Sequence, residues 1–226
     1  MKFSKLIHEL LPASSIEINQ TVYDLKRQGR DIITLSLGEA FFDLPHKPFT
    51  YEDFEIGFHY SDTAGLPILR NKISNYYKKS YQSTISSDQI VVSCGSKPLT
   101  WFTMAALVNP GDNIILHEPA WLSYSDQAKF SRAEVRYIPY DQDINFLKEI
   151  SDAKTKLVIL NNPNNPRGFC YSKAQLQFAY DFCAANNIFL MVDEAYSDFA
   201  EVNDFVSLAS IDPALEHGIV VNSLSK

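Results

Sequence analysis

The sequence is poor in cysteine, has no long apolar run and carries no excess of positive charge, and each of these absences excludes a class of protein. Its three cysteines, Cys94, Cys170 and Cys183, form no closely spaced pair, so neither a structural zinc site nor a disulfide framework is predicted. No stretch approaches the roughly 20 apolar residues that cross a bilayer. The N-terminal segment is interrupted by His8 and Glu9 and lacks the apolar centre of a secretory signal. We therefore expect a cytoplasmic protein that holds no metal.

The charged residues are dispersed rather than clustered. The 20 lysines and arginines are scattered and the formal net charge is −7, whereas nucleic acids and anionic membranes attract concentrated positive charge. Neither is therefore expected as a partner. Apolar residues make up 46% of the sequence and charged residues 21%, which is typical of a globular protein with a buried core.

Apolar runs of strand length alternate along the chain with segments of helical periodicity. Strands are predicted at Ile90–Ser93, Asn113–Leu116, Glu134–Ile138, Lys156–Leu160, Ile188–Val192 and Gly218–Val221. A helix is predicted over Ala174–Ala185, with Ser172 as its N-cap. Short apolar strands separated by helices are typical of a parallel sheet that is covered on both faces. The predicted fold class is therefore α/β, with three layers and a mostly parallel sheet.

The first part of the chain does not follow this alternation. A helix is predicted around Ile18–Leu25 and a strand at Asp31–Ser36, followed by an irregular, proline-rich stretch. We interpret residues 1–64 as an N-terminal arm with part of a smaller domain, and residues 65–226 as the large α/β domain.

Small, polar and aromatic residues follow the predicted strands, and ligands bind at the carboxyl ends of the strands in such sheets. Ser96 and Lys97 lie between a strand and a helix that is predicted to begin at Pro98. Backbone N–H groups at a helix start suit a phosphate, but an ordinary turn has the same sequence. Trp121 either stacks on a planar ligand or packs in the core. Ser223 either adds a phosphate ligand or caps the chain locally.

A carboxylate, an amide, a phenol and an amine complete this set. Asp193 ends an apolar strand, where a buried carboxylate needs a cationic or hydrogen-bonding partner. A protonated pyridine nitrogen would meet that need, and so would the backbone of the next turn. Tyr196 either reaches the same ligand or covers the turn. Asn165 lies in a segment of Asn and Pro that alone predicts only a tight loop, and Lys226 alone is an ordinary surface lysine.

In this order the segments resemble the class I and II aminotransferases, which are pyridoxal-phosphate-dependent enzymes of fold type I, and the resemblance covers nearly the whole chain. The matching segments are Asp31–Glu39, Tyr60 with Gly65–Arg70, Gly95–Lys97, Asn162–Gly168, Asp193–Tyr196 and Ser223–Lys226. They are similar, in that order, to the family's substrate loop, its tyrosine and GLPxLR stretch, its phosphate loop, and its NPxNPTG, DExY and SxSK motifs. Coincidence does not explain so many separate motifs in one order.

The resemblance implies a role for each matching position. Lys226 would form the Schiff base with the cofactor and transfer the substrate's proton, Asp193 would pair with the pyridinium nitrogen, and Tyr196 would hydrogen-bond the phenolic oxygen. Further implied cofactor contacts are Ser96, Lys97 and Ser223 at the phosphate, Trp121 on the ring, Asn165 at the phenolic oxygen, and Tyr60 at the phosphate of a neighbouring subunit. Gly38 and Asn165 would bind the substrate. The implied protein is a homodimer that holds pyridoxal 5'-phosphate and moves an amino group between an α-amino acid and a 2-oxo acid.

The sequence departs from the family pattern at several points. Ala40 and Phe41 replace the usual Pro-Asp of the substrate loop. Arg167 replaces the threonine of NPTG, and Pro98 follows the phosphate loop, but no catalytic group is lost. The sequence also ends at Lys226, whereas family members continue with a phosphate-binding arginine, a strand that returns into the sheet and a C-terminal small domain. We therefore interpret it as a fragment with an incomplete large domain and unpaired strand edges.

Two other functions stay open at this stage. A lyase, cyclase or synthase of the same fold begins from the same adduct of cofactor and substrate, and an inactive fragment or binding module would keep the motifs without the activity. The acyltransferase branch of the fold is disfavoured because Tyr196 stands where histidine is expected. A generic nucleotide-binding protein lacks support because the sequence has no GxGxxG fingerprint.

Overall fold

The computed structural model describes residue 7 and residues 14–34, 59–201 and 204–225. By their contacts these residues belong to two units, one formed by the described residues up to 34 and the other by those from 59 onward.

In its described residues, the first unit contains one long helix. Helix α1 spans Ser14–Arg27, with Glu17 in its first turn and basic residues in its last, so that both charges complement the helix dipole. This helix was predicted from the periodicity. The strand predicted at Asp31–Ser36 is wrong in its described part, because residues 31–34 form no strand and Ile33 is 88% exposed. Residues 35 and 36 lie outside the described residues.

The second unit is built on a sheet of five parallel strands in the order β2-β1-β3-β4-β5. The strands are β1 Asn113–His117, β2 Glu134–Ile138, β3 Thr155–Asn161, β4 Phe189–Asp193 and β5 Gly218–Val221. Nearly every residue of β1, β3 and β4 is buried, as expected for apolar strands at the centre of a parallel sheet. The predicted α/β class is confirmed.

Five helices accompany the sheet in the described residues of this unit. They are α2 Pro67–Tyr81, α3 Ser96–Leu107, α4 Leu122–Phe130, α5 Leu147–Ile150 and α6 Lys173–Ala185. Short 3-10 turns occupy Ser87–Gln89, Ile144–Phe146, Ser197–Phe199 and Leu208–Ser210. Helix α6 begins with a capping box in which Ser172 and Gln175 satisfy each other's backbone N–H groups, which confirms the predicted N-cap. No helix in the described part of the chain is long and apolar enough to cross a membrane.

Alternate residues of the strands pack on opposite faces of the sheet. Ile114 and Leu116 of β1 belong to the core that α3 and α4 cover, together with Tyr124. Ile115, between them, belongs to the core on the other face, together with Leu176 of α6. The sheet therefore has an apolar core on each face. The polar residues that end the strands lie at the edge formed by the carboxyl ends of the strands.

The strand predicted at Ile90–Ser93 is not part of the sheet. The Ile90 N–H donates to the carbonyl of Ser87 at 3.3 Å and the Val92 N–H donates to that of Ala64 at 2.9 Å, but no described strand pairs with this segment. An apolar run predicts extended backbone, but it does not say whether a neighbouring strand is present to form the ladder.

Helix α3 begins two residues earlier than predicted, at Ser96 rather than Pro98. Gly95 is its N-cap, with a φ of 101° that favours glycine. Pro98 is accommodated in the first turn because the N–H groups there have no partner within the helix.

Candidate active site

The register of β3 and β4 places Asn161 directly beside Asp193 at the carboxyl edge of the sheet. The Nδ2 of Asn161 donates to the backbone carbonyl of Asp193 at 2.9 Å, and the Asn162 N–H donates to the same carbonyl at 2.9 Å. The Asp193 carboxylate is 4% exposed, and its Oδ1 accepts from the Ala195 N–H at 3.1 Å. These bonds fix both the backbone and the side chain of Asp193.

Tyr124 of α4 is a member of the site that the motifs do not indicate. Its hydroxyl donates to the Oδ2 of Asp193 at 2.6 Å, and its side chain is 1% exposed. Burial and the nearby charge of Asp193 raise the pKa of Tyr124 well above its usual value, so the phenol keeps its proton and remains a donor. The signal in the sequence is its position three residues after Trp121, which puts both rings on one side of the helix start. The two rings meet edge to face at 5.2 Å.

The Asn- and Pro-rich segment after β3 forms a tight turn. The Asn165 N–H donates to the Oδ1 of Asn161 at 2.6 Å, and the Gly168 N–H donates to the carbonyl of Asn164 at 2.7 Å. The Nδ2 of Asn165 lies 3.5 Å from the hydroxyl of Tyr196. The structure therefore brings Asn165 and Tyr196 together beside the end of β4.

The start of α3 presents two backbone donors. The N–H of Gly95 donates to the Ser93 carbonyl at 2.8 Å, and proline at position 98 has no N–H. Among the described residues no acceptor meets the N–H groups of Ser96 and Lys97. Two open N–H groups at the positive end of a helix form a potential binding site for an anion.

Helix α4 holds the start of α3 in place. The Nε2 of Gln127 donates to the Lys97 carbonyl at 3.0 Å, and the Oε1 of Gln127 accepts from the Thr100 hydroxyl at 2.8 Å. The ammonium of Lys97 lies 5.0 Å from the centre of the Trp121 ring. Lys97 and Trp121 are therefore neighbours, and Ser96 precedes Lys97 in the first turn of α3.

Ser223 follows β5 in a short polar loop. Its hydroxyl lies 2.7 Å from that of Ser225 and accepts from the Ser225 N–H at 3.1 Å. The preceding Asn222 donates to the hydroxyl of Tyr77 at 3.1 Å. The loop is thus tied to α2, and Ser223 lies two residues after the end of β5, the strand that pairs with β4.

Among the described residues, one predicted site residue does not join this group. Tyr60 is fully exposed, at 105% of its reference area, and no described contact joins it to the other site residues. Gly38 and Lys226 lie outside the described residues.

Glu194 follows Asp193 and is completely buried. Its carboxyl accepts from the Ser207 hydroxyl at 2.9 Å and from the Leu208 N–H at 2.8 Å, while its own N–H donates to the carbonyl of Val221 at 2.7 Å. Burial raises the pKa of Glu194 to about 8, and the charge of Asp193 acts in the same direction. Glu194 therefore joins three segments next to the site, in a position where the neutral acid is favoured.

His117 ends β1 on the sheet face opposite Tyr124. Its Nδ1 lies 2.8 Å from the hydroxyl of Tyr171, and its buried Nε2 has no hydrogen-bond partner among the described residues. Burial lowers the pKa of His117, and the charge of Arg167 lowers it further. The imidazole is therefore neutral and packs within an aromatic group with Phe169 and Tyr171.

These residues fit a planar ligand that carries a phosphate and a protonated ring nitrogen. The two open N–H groups at the start of α3 suit the phosphate, and the indole of Trp121 suits the ring. The buried carboxylate of Asp193 suits the cationic nitrogen, because a buried charge is stabilised by an opposite charge with good hydrogen-bond geometry. A parallel α/β sheet with these groups at its carboxyl edge defines the class of proteins that bind a phosphorylated, planar cofactor.

The chain belongs to the family described as aminotransferase class I and II, whose family model matches residues 30–226. Enzymes of this family depend on pyridoxal phosphate. The resemblance predicted from the motifs is therefore confirmed.

Similar proteins are named as aminotransferases. The chain is 31% identical to an asparagine–oxo-acid transaminase of Streptococcus mutans, covering 100% of this chain and 60% of the relative. It is 28% identical to an aspartate aminotransferase of Thermotoga maritima, over 99% of this chain and 62% of that relative. These names do not favour the lyase, cyclase or synthase alternative. The chain spans about three fifths of the length of these relatives.

Solved structures have the same fold. The Thermus thermophilus aspartate aminotransferase with maleate matches with a TM-score of 0.91 at 24% identity, over 100% of this chain and 61% of that one. The Thermotoga maritima aspartate aminotransferase matches with a TM-score of 0.89 at 26% identity, over 99% and 62%.

Proposed function

We propose that this chain is the cofactor-binding part of an enzyme that transfers an amino group between an α-amino acid and a 2-oxo acid. The observation that carries the proposal is the buried Asp193 carboxylate, held by Tyr124 at the same sheet edge as the open N–H groups of α3. Family membership supplies the reaction class, and the names of the relatives support amino transfer.

Pyridoxal phosphate, when bound, would withdraw electrons from the substrate carbon that loses its proton. Asp193 would hold a proton at the ring nitrogen, and Tyr124 would keep the carboxylate aimed by its short hydrogen bond. Asn165 and Tyr196, which lie 3.5 Å apart, would donate to the phenolic oxygen. Trp121 would support the ring face and exclude water from it.

The phosphate would be held by groups from two loops. Ser96 and Lys97 would donate their open backbone N–H groups, and Ser223 would donate its hydroxyl. Lys226, three residues after Ser223, would supply the amine that holds the cofactor and takes up the substrate's proton. Gly38 would lie with Asn165 at the substrate.

The assembly and the division into domains belong to the same proposal. Residues 1–64 would form an arm with part of a small domain, and residues 65–226 the large domain. The full exposure of Tyr60 supports a role outside its own subunit, at the phosphate site of the partner in a homodimer. A cytoplasmic location is supported by cysteines 94, 170 and 183, all of which are free thiols.

The test is to add pyridoxal phosphate to the 226-residue chain and record its visible absorbance, then reduce with borohydride and map the labelled peptide. A yellow band, with the label on Lys226, supports the proposal. Lys226→Ala should lose the band, whereas Lys154→Ala, at the opposite end of β3, should keep it. Label spread over surface lysines would contradict the proposal for this chain and favour an inactive fragment.

A further inference from the structure

A cavity lies beside Trp121, on the β2 side of the sheet. Its volume is about 600 Å³, within the range of roughly 300–1,000 Å³ that small-molecule sites occupy. Its walls are Leu116, Glu118, Pro119, Ala120, Trp121, Leu122, Ser125, Tyr137, Tyr140 and Arg167. Most of this lining is apolar or aromatic, and it contains one cation and one anion.

Arg167 is an exposed residue whose guanidinium makes two contacts at this cavity. Its guanidinium lies 4.7 Å from the centre of the Phe169 ring, and its Nη1 donates to the carbonyl of Tyr140 at 3.3 Å. Within the described part of the chain, no carboxylate forms an ion pair with it. A guanidinium has five N–H donors in a fixed plane, so the observed bond to Tyr140 leaves donors for an incoming carboxylate.

Several apolar and aromatic residues of the cavity wall are exposed to solvent. Tyr137 is 39% exposed, Tyr140 69% and Leu122 50%. Covering such surface favours association, because apolar area is removed from water. Aromatic faces around one fixed cation suit a flat apolar group with a negative charge at one end.

We propose that this cavity binds a small aromatic monocarboxylate, with the ring against Trp121, Tyr137 and Tyr140 and the carboxylate on Arg167. Glu118 lines the same cavity, and its charge disfavours a ligand with a second negative group. The inference is independent of amino transfer, because the lining residues need no cofactor to bind such an anion. Since Trp121 also belongs to the candidate active site, a ligand here would contact the edge of that site.

The experiment uses Trp121 as the reporter. Trp101 is the only other tryptophan in the sequence, so a Trp101→Phe background leaves one indole signal. This protein is titrated with 3-phenylpropanoate and with neutral 3-phenylpropanamide, followed by fluorescence and by calorimetry. We expect saturable binding of the carboxylate, at least tenfold tighter than the amide.

Two variants separate the cavity from general charge effects. Arg167→Gln should weaken carboxylate binding by about tenfold or more, since a hydrogen bond to a charged group contributes at least that factor. Lys129→Gln removes an exposed cation outside the lining and should leave binding unchanged. Unchanged circular dichroism and unfolding midpoints show that each variant is folded.

The proposal is overturned if the carboxylate does not bind at millimolar concentration, if the amide binds equally well, or if Arg167→Gln keeps the affinity of its parent. Pyridoxal phosphate binding, measured separately by visible absorbance, does not depend on these outcomes. Failure of the cavity and failure of the proposed amino transfer are therefore distinguishable.

Discussion

The hydroxyl of Tyr124 lies 2.6 Å from the Oδ2 of Asp193, and both side chains are buried at the carboxyl edge of the sheet. The bond joins α4, on one face, to the end of a central strand. A buried carboxylate without donors is costly, so this phenol stabilises the charged form of Asp193 in the place where a cationic ligand would meet it.

Tyr124→Phe removes this donor and little else. We expect the free energy of unfolding to fall by about 1.5–3 kcal/mol, the usual contribution of a hydrogen bond to a charged group. Urea unfolding of the 226-residue chain measures the change. Tyr23→Phe, at a half-exposed position on α1, is the control and should be neutral. Equal stability of the Tyr124 variant and its parent would show that the bond does not stabilise the fold.

Glu194 predicts a pH dependence of stability. Its pKa is raised from 4.5 to about 8 by burial, so the folded state holds a proton that the unfolded state releases. The bound proton therefore contributes to the free energy of unfolding. This contribution is complete below pH 4.5 and is lost as the pH rises through about 8. In that window the parent should lose about 1.4 kcal/mol per pH unit relative to Glu194→Gln, whose neutral amide does not titrate.

The measurement is urea unfolding of both proteins at a series of pH values from about 5 to about 9. Glu216→Gln, at an exposed position, is the matched control and should follow the parent. If the Glu194→Gln and parent curves run parallel, Glu194 is ionised in the folded protein and the prediction is wrong.

Thr100 joins α3 to α4, and we expect loss of this contact to lower the free energy of unfolding. Its side chain is completely buried, and its hydroxyl, which also lies 2.9 Å from the Lys97 carbonyl, donates to the Oε1 of Gln127 at 2.8 Å. Thr100→Val keeps the shape but leaves that buried oxygen without this donor, so we expect a loss of about 1–3 kcal/mol. Thr103→Val, on the same helix, loses only a bond to the helix backbone and should cost less than half as much. Thermal or urea unfolding compares the pair, and similar losses would contradict the prediction.

The strands were predictable because their residues are apolar without interruption, which is the pattern of central parallel strands. The placement of Asp193 was predictable for the same reason, since a polar residue that ends such a run must lie at the sheet edge. The segment at Ile90–Ser93 has the same pattern but no partner strand in the described structure. Its failure shows that an apolar run predicts local conformation and not pairing.

Contacts between distant residues were not predictable from local patterns. Tyr124 and Asp193 are 69 residues apart, and Thr100 and Gln127 are 27 apart. No periodicity relates such pairs, and only the packing of α3 and α4 on the sheet brings them together. The sequence therefore predicts the polar groups at the strand ends. It does not predict the residues that hold those groups in place.

The backbone at Gly65, just before α2, passes so close to Val92 that we expect Gly65 to tolerate no larger residue. Its φ is 104°, and a Cβ added there would lie 2.6 Å from the Cβ of Val92, closer than atoms in proteins approach. Gly65→Ala therefore combines a steric overlap, worth about 1–3 kcal/mol, with left-handed backbone strain of roughly 1–2 kcal/mol. Gly111 has a φ of 92° but no atom within 4 Å of such a Cβ, so Gly111→Ala carries the strain alone.

The difference between the two variants isolates the overlap. We expect Gly65→Ala to unfold at a lower urea concentration than Gly111→Ala, by a free energy of about 1–3 kcal/mol. Because the Val92 N–H also donates to the Ala64 carbonyl at 2.9 Å, relief of the overlap would break this bond between Val92 and the residues before α2. Faster amide exchange at Val92 in Gly65→Ala, and not in Gly111→Ala, would confirm this route. Equal stability of the two variants would mean that the two segments separate without cost, and the close approach would then contribute nothing to the fold.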